Sequence, residues 1–512
     1  MDGQSGIFPQ QPNSPLMTTQ PNYLHTGNYH DGKKSLADMD KLIGKGYSPI
    51  VADDIISEPY AKGTKFTSRP DDPYNKVTIE SLSGDLQLFD GRMNHNNGWF
   101  VLRSNIKPGV TKGAVKWIIT PNVVADWMYQ PVIQTSQIGY HPTQDKEAVI
   151  EMDIRDNRKE TAQIIRIDAD GEKVVKNVTP ANWGKFLRYN YLKVNFTDVK
   201  EPGLYKIKYN TSVSPIFRID NDVYARGVWQ PVLEYFLPVQ MCHMRVNEKY
   251  RVWHDCCHMD DAQMAPAHNH IDGYDQKEGL SKFKPGEVVP GVNIGGWHDA
   301  GDFDLRIESQ AGESYILALA YEAFHPNLDV TSIDQINRVT EIHQPDGKND
   351  LLQQVENGAL TVVNGYLALG RLYRGIICND LRQYVLLGDA AAMTDGKIGN
   401  EDDRWIFTED NPGRELSTAA QLAAVSRVLK GFNDTLSVHC LDIARKVYAS
   451  TGSGNNRALF PKVQAAVELY LTTGEQPYMD FILDNQELII KQIGRIGWYT
   501  ARVEKLFAQM KN

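Results

Sequence analysis

The sequence predicts a multidomain protein in which β structure gives way, near Asp222, to an all-helical region arranged as a helical barrel or toroid. Three observations carry that prediction. The chain has 512 residues, enough for roughly three domains at ~150 residues each. Before Asp222 apolar and polar residues alternate, the period of a half-buried strand, and after it apolar residues recur at three- and four-residue spacing, the period of a helix face. The helical part shows no fixed repeat, which excludes a stacked solenoid.

Taken in order, residues 1–46 begin with a stretch rich in Gln, Pro, Ser and Thr and are expected to be poorly ordered. Residues 47–128 read as a small β domain of unknown role. Val77-Thr78-Ile79 and Leu86-Gln87-Leu88 alternate, Asp90-Gly91 and Asn97-Gly98 supply turns, and Trp99 to Leu102 reads as a strand. Residues 129–220 predict an immunoglobulin-type β-sandwich. Tyr205-Lys206-Ile207-Lys208-Tyr209 puts apolar side chains on one face and lysines on the other, and Ile164, Ile165 and Ile167 lead into an Asp170-Gly171 turn. Residues 221–512 hold the helices, with long segments at Leu305–Phe324, Leu351–Tyr373, Glu415–Lys430 and Leu459–Leu471. In the third of these, Leu416, Ala420, Ala423 and Ala424 share a face whose small residues suit close helix packing.

Composition narrows the partners. Hydrophobic residues at 41% and charged residues at 23% describe a globular chain, and no apolar run approaches the ~18–20 residues that span a bilayer. A net charge of -10 argues against nucleic acid, whose phosphates need a basic face. The first residues lack a basic segment followed by an apolar one, so no signal peptide is visible, which fits an intracellular chain or one without its leader. Five cysteines do not make a disulfide scaffold in a chain this long. Three of them, Cys242, Cys256 and Cys257, crowd together.

The chemistry concentrates in Gly295-Gly296-Trp297-His298-Asp299-Ala300-Gly301-Asp302-Phe303-Asp304. Three carboxylates in six residues must be solvated, share protons, bind a cation or take part in catalysis. Asp299, Asp302 and Asp304 beside glycine suit a calcium loop, although the EF-hand glutamate and glycine placement are missing. Two aspartates three residues apart also suit the base half of an inverting glycosidase, jointly holding a water and removing its proton.

The run Gly295 to Asp302 resembles the contiguous signature of glycoside hydrolase family 9, Gly-Gly-Trp-Tyr/His-Asp-Ala-Gly-Asp. Gln134 to Pro142 (QTSQIGYHP) looks like the opening strand of the immunoglobulin-like domain that precedes the catalytic module in one branch of that family. Trp405 to Pro412 (WIFTEDNP) loosely resembles its Trp-plus-Glu-Asp loop before an alanine-rich helix. The resemblance covers about residues 130 to 512. It implies an (α/α)6 barrel that cuts β-1,4-linked glucans with inversion and needs no cofactor for catalysis. Asp302 would be the general base and Asp299 would help hold the water. Trp297 would pack the loop, while His298 and Trp405 are candidates for sugar contacts. The location implied is extracellular or periplasmic.

One departure bears on activity. The family's general acid is a glutamate in an Asn-Glu context after paired histidines and an arginine, and the last part of this chain shows neither. Asp484-Asn485-Gln486-Glu487 is a superficial echo. The barrel is therefore expected to be incomplete at its C-terminal end, and the competing reading is a carbohydrate-binding protein or inactive fragment on the same scaffold.

Cys242, Cys257 and His258, with His268 or His270 nearby, offer the sulfur and imidazole ligands zinc takes in a closed site. Buried thiols and surface histidines would look the same on spacing alone. The resemblance favours a structural zinc on a Cys…Cys-His set whose further histidine follows the acidic motif closely, where this chain has Leu305, so the fourth ligand stays open, with His270 as the candidate.

Overall fold

The computed structural model describes residues 50–51, 54–55, 61–91, 99–225, 227–260, 262–266, 276–277, 279–299, 303–378, 394, 396–398, 403–452 and 456–503. The expected order at residues 1–46, the catalytic call on Asp302 and the metal call on His270 lie outside the described residues. The chain falls into two compact units, one of residues 63–86 and 105–234, the other of residues 1–62, 87–104 and 235–512.

In the first unit a three-stranded antiparallel sheet joins Lys65–Ser68, Val77–Ser81 and Trp117–Pro121. Beside it in sequence lies the sandwich. One sheet orders Ala181–Phe186, Tyr189–Asn195, Glu147–Asp153 and Val132–Gln134. The other runs Gly171–Val178, Ala162–Asp168, Gly203–Tyr209 and Ser212–Val213, with Phe217–Ile219 also on Gly203–Tyr209. Every pairing within these two sheets is antiparallel. Tyr205, Ile207 and Tyr209 turn inward and meet Ile150, Ile164, Leu192 and Phe196 in one core. The period-two reading of Tyr205–Tyr209 is the observed one. Burial of this alternating set against a second sheet is what closes a sandwich. The unit ends in a short helix, α1 (Gln230–Glu234).

The second unit is helical, as expected. After α2 (Leu237–Gln240) come α3 (Ile307–Phe324), α4 (Asp350–Leu369), α5 (Pro412–Leu429), α6 (Asp434–Ser450) and α7 (Asn456–Thr473). Three shorter helices follow, α8 (Gln476–Asp484), α9 (Gln486–Lys491) and α10 (Ile493–Ala501). Local chemistry sets the starts. Asn349, Asn411 and Asn433 each cap a helix, their side-chain oxygens accepting backbone N–H groups that the first turn leaves unpaired. The alanine face of α5 is fully buried, with Leu416, Ala419, Ala420, Ala423 and Ala424 inside, and these small side chains let α6 and α7 pack directly against it.

Two four-stranded sheets interrupt the helices. One joins Arg251–His254, Arg245–Glu248, Val339–Ile342 and Thr331–Asp334, the other Gln263–Met264, Arg404–Phe407, Gly375–Cys378 and Leu305–Arg306. Strands of two to four residues carry too few repeats to show as a period, so the sequence reading passed over them. The second sheet matters most, because Leu305–Arg306 leads out of the acidic loop and Arg404–Phe407 runs beneath it. Among the described residues no helix is long and apolar enough to cross a membrane.

Candidate functional site

The acidic loop is fastened by its glycines. Gly295 and Gly296 have φ of +67° and +87°, and a Cβ on Gly295 would lie 2.3 Å from the Asn357 carbonyl oxygen of α4. Only glycine takes this conformation at this approach without strain. The Gly296 amide donates to Asn357 O at 3.0 Å, and Asn357 Nδ2 donates back to Gly296 O at 3.2 Å. Gln310 of α3 holds both backbone groups of Trp297, accepting from its N–H at 2.9 Å and donating to its carbonyl at 2.8 Å. The indole is buried against Gly358, where a Cβ would come within 2.3 Å of the ring. Trp297 therefore packs the loop.

Successive residues then face different partners. His298 is buried, its N–H donating to Gln240 O at 2.6 Å and its Nε2 3.6 Å from Cys257 Sγ. Asp299 forms an ion pair with Arg306 at 3.1 Å, and its N–H donates to Asp304 O at 3.0 Å. Asp304 is wholly buried and accepts from the Cys378 amide at 2.9 Å, a structural role. Asp299 and Asp304 thus have different partners among the described residues, a guanidinium and a strand amide.

The loop's hidden side meets the cysteines. Cys242 is set by a backbone bridge, with Met241 paired to Trp297 and the Cys242 N–H donating to Gly296 O at 3.0 Å. The Cys257 and Cys242 sulfurs lie 3.9 Å apart, and Cys242 Sγ is 3.8 Å from His258 Nδ1. All four ligand atoms of Cys242, Cys257, His258 and His298 fall within 4.8 Å of one another, and all four residues are buried. Zinc bonds of about 2.0–2.3 Å in a tetrahedron put neighbouring donors about 3.3–3.8 Å apart, so the separations of 3.6, 3.8 and 3.9 Å are near that spacing and the wider ones would close in around the ion. His258 sits in the left-handed region at φ 53°, which lets it and Cys257 converge on the same point.

Electrostatics match at Cys242, His258 and His298. Burial opposes ionisation of Cys242, but the Cys257 thiol and then the Arg404 guanidinium act against it, and Cys242 is held well below the usual thiol range. Cys257, hydrogen-bonded to Cys242 and buried, is pushed well above it. Burial, seconded by Arg404 at His258 and only partly offset by Cys242 at His298, lowers both imidazoles, leaving them neutral as ligands must be. Arg404 is fully buried, with Nη2 3.4 Å from Cys242 Sγ and 3.2 Å from His243 Nε2. His243 Nδ1 lies 2.9 Å from Gly295 O. A carbonyl only accepts and a guanidinium only donates, so His243 is the neutral Nδ1–H tautomer.

One expectation changes here. His298, read as a sugar contact, is turned into the thiol cluster, where its ring has no open face. With Cys242, Cys257 and His258 it forms a group that could hold a metal ion, and His270 lies outside the described residues. Trp405 is partly buried, packed on Ala265, Ile377 and Phe407, its ring 6.5 Å from that of Phe407. Strand alternation separates it from its neighbour Arg404, which faces the thiols. Glu487 is solvent-exposed on α9.

Sequence reasoning missed Glu313 of α3. Burial, and then the charge of Asp299, push its carboxyl up to about 7. Below the unfolded carboxyl range both states hold the proton. Between that range and about pH 7 only the folded chain does, so stability falls as pH rises to about 7. Glu313→Gln is expected to abolish that fall and to raise the melting temperature at pH 8 by about 2–4 °C relative to the wild type. A pH series of thermal melts checks it, and an unchanged slope would count against the burial argument.

Comparison with known proteins bears on the family. Residues 232–511 match the family model of glycosyl hydrolase family 9, and residues 128–214 match that of the cellulase N-terminal ig-like domain. The chain is similar to a xyloglucan-specific endo-beta-1,4-glucanase, BoGH9A, of Bacteroides ovatus, with 25% identity over 369 residues, 68% of this chain and 58% of that protein. It is also similar to endoglucanase D of Acetivibrio thermocellus, with 19% identity over 70% of this chain and 54% of that protein. The chain thus spans a little over half the length of these curated relatives. In fold it resembles the crystal structure of a metagenome-derived glycoside hydrolase family 9 endoglucanase, with a TM-score of 0.51 and 21% identity over 70% of this chain and 64% of the other. The helical unit is accordingly of the (α/α)6-barrel type. With more than half of its residues inside the family's own pattern, the chain belongs to glycosyl hydrolase family 9.

Proposed function

We propose that the chain hydrolyses β-1,4-glucosidic bonds of plant polysaccharide with inversion, outside the cytoplasm, Asp302 removing the proton of a water that Asp299 helps to hold. The observation that carries this reading is the placement of Asp299: glycines and Gln310 fix the loop's backbone, and the ion pair with Arg306 orients the Asp299 carboxylate. A carboxylate held to one side is suited to orienting water, while its neighbour three residues on takes the proton. Proton NMR of the first product released from cellohexaose tests it. Appearance of the α-anomer ahead of mutarotation is expected. The β-anomer would overturn the inverting mechanism, and binding without any product would favour a non-catalytic carbohydrate-binding protein.

Cys242, Cys257, His258 and His298 are proposed to hold a structural zinc. When bound it would tie the thiols to the acidic motif, supplying rigidity and no catalytic step. About one zinc per chain is expected by elemental analysis, falling below about 0.1 in Cys257→Ser. Loss of zinc should lower the melting temperature. Full occupancy in the variant would sink the assignment.

A further inference from the structure

The outer face of one sandwich sheet carries a run of aromatic rings that the fold does not require. Trp127, Tyr129, Tyr189, Tyr191 and Trp183 follow one another at centroid distances of 6.5, 5.2, 6.1 and 5.6 Å. Tyr189 and Tyr191 alternate with the buried Asn190 and Leu192, so their side chains point away from the core. Tilted contacts between neighbouring aromatic rings are favourable, which accounts for the half-buried tyrosines. It does not account for the ends. Trp127 is 46% exposed and Trp183 56%, and each forgoes about half of the gain that burying an indole would bring.

Trp183 is also aimed. A bulge between Asn182 and Gly184 interrupts the register with Tyr189–Asn195, and Gly184 adopts φ +129°. Bulges redirect a side chain out of the strand's alternation, and here the indole stands edge-on to the Tyr191 ring at 89°. Between the two indoles lies a polar centre. Glu151 accepts hydrogen bonds from Tyr129 Oη at 2.9 Å and Tyr191 Oη at 3.1 Å.

Charge selects the occupant. On this face Glu147 pairs with Lys193 at 2.9 Å, and the carboxylate of Glu151 is accompanied by the Arg188 guanidinium 5.8 Å from the Tyr189 ring centre. A face with no excess of either sign complements an uncharged ligand and gives a polyanion or polycation nothing to follow. Exposed indoles match the apolar faces of pyranose rings, and a carboxylate tied to two phenols matches sugar hydroxyls. Four successive ring-to-ring steps suit an extended chain more than a single sugar.

We propose that this sheet face is a non-catalytic binding surface for a neutral polysaccharide chain, with Trp127 and Trp183 as stacking platforms around the Tyr129–Glu151–Tyr191 centre. That the ligand is a β-glucan rests on the reading under Proposed function. Native affinity electrophoresis of the full chain in gels containing hydroxyethylcellulose, xylan or dextran tests both. The wild type is expected to be retarded by hydroxyethylcellulose. Trp127→Ala/Trp183→Ala should lose about tenfold or more in affinity with its melting temperature unchanged, while Trp183→Phe keeps most of the retardation. If the double variant melts early, Trp183→Ala alone is read against Trp183→Phe. Equal retardation of wild type and alanine variants would overturn the surface and leave the β-glucan reading standing. No retardation of the wild type in any gel would also overturn it. Tryptophan-dependent retardation by xylan alone would uphold the surface and remove β-glucan as its ligand.

Discussion

Asp302→Ala is expected to lower kcat on a soluble β-1,4-glucan by about 10²- to 10⁴-fold while leaving affinity for that glucan nearly unchanged. The size of the effect follows from what the residue would do. A positioned base acts in the transition state and adds little to ground-state binding, so its loss falls on kcat. Asp299→Asn is expected to be milder, because the amide keeps a hydrogen-bonding oxygen near Arg306 and gives up only the charge. Reducing ends released from hydroxyethylcellulose, compared with binding of the same polymer, separate the two parameters. A kcat within tenfold of the wild type would remove Asp302 from the mechanism.

The second large effect is on stability. Glu468 of α7 is 1% exposed and ion-pairs with Arg427 of α5 at 2.8 Å and with Arg502 at 2.7 Å, while Tyr315 of α3 donates to it at 2.8 Å. Glu322 of α3 completes the set, pairing with Arg427 at 2.6 Å and Arg502 at 2.9 Å. Two guanidiniums face two carboxylates, and the group balances only as a whole. Glu468→Gln keeps the shape and removes one charge, leaving a positive charge without its partner. Breaking a buried pair on one side costs about 3–5 kcal/mol. The arginines are 17% and 23% exposed, so the lower end applies, a fall of roughly 6–12 °C in melting temperature. Scanning calorimetry decides it. A fall under about 2 °C would mean that water already screens the quartet.

Much of the architecture was legible because it is written in local periods. Tyr205–Tyr209 alternates whatever surrounds it, and the leucines and alanines of Pro412–Leu429 make a helix face at a spacing any reader finds. What escaped had no period. The four-residue strand Arg404–Phe407 carries both Arg404, which sits against the thiols, and Trp405, which does not, and nothing in RWIF says which side of the strand the cluster lies on. Glu313 was passed over because a glutamate on a helix is ordinarily solvated. Only burial beside Asp299 makes it a carboxyl that keeps its proton near pH 7.

The acidic loop divides the two kinds of knowledge. By itself the sequence determined that Gly295 to Asp302 is a shaped acidic segment, that it follows a supply of thiols and imidazoles, and that strands precede helices. Those are properties of residue type and spacing, and they survive without a fold. The tertiary structure decided which way the described residues of the loop face. His298 meets Cys257 across 41 residues of sequence, and Arg404 reaches Cys242 across 162. Such pairings arise because α3, α4 and the strand at Arg404 bury the loop's inner side, and a buried polar group must find its partner wherever the chain brings one. Local spacing names the candidates, and burial chooses among them.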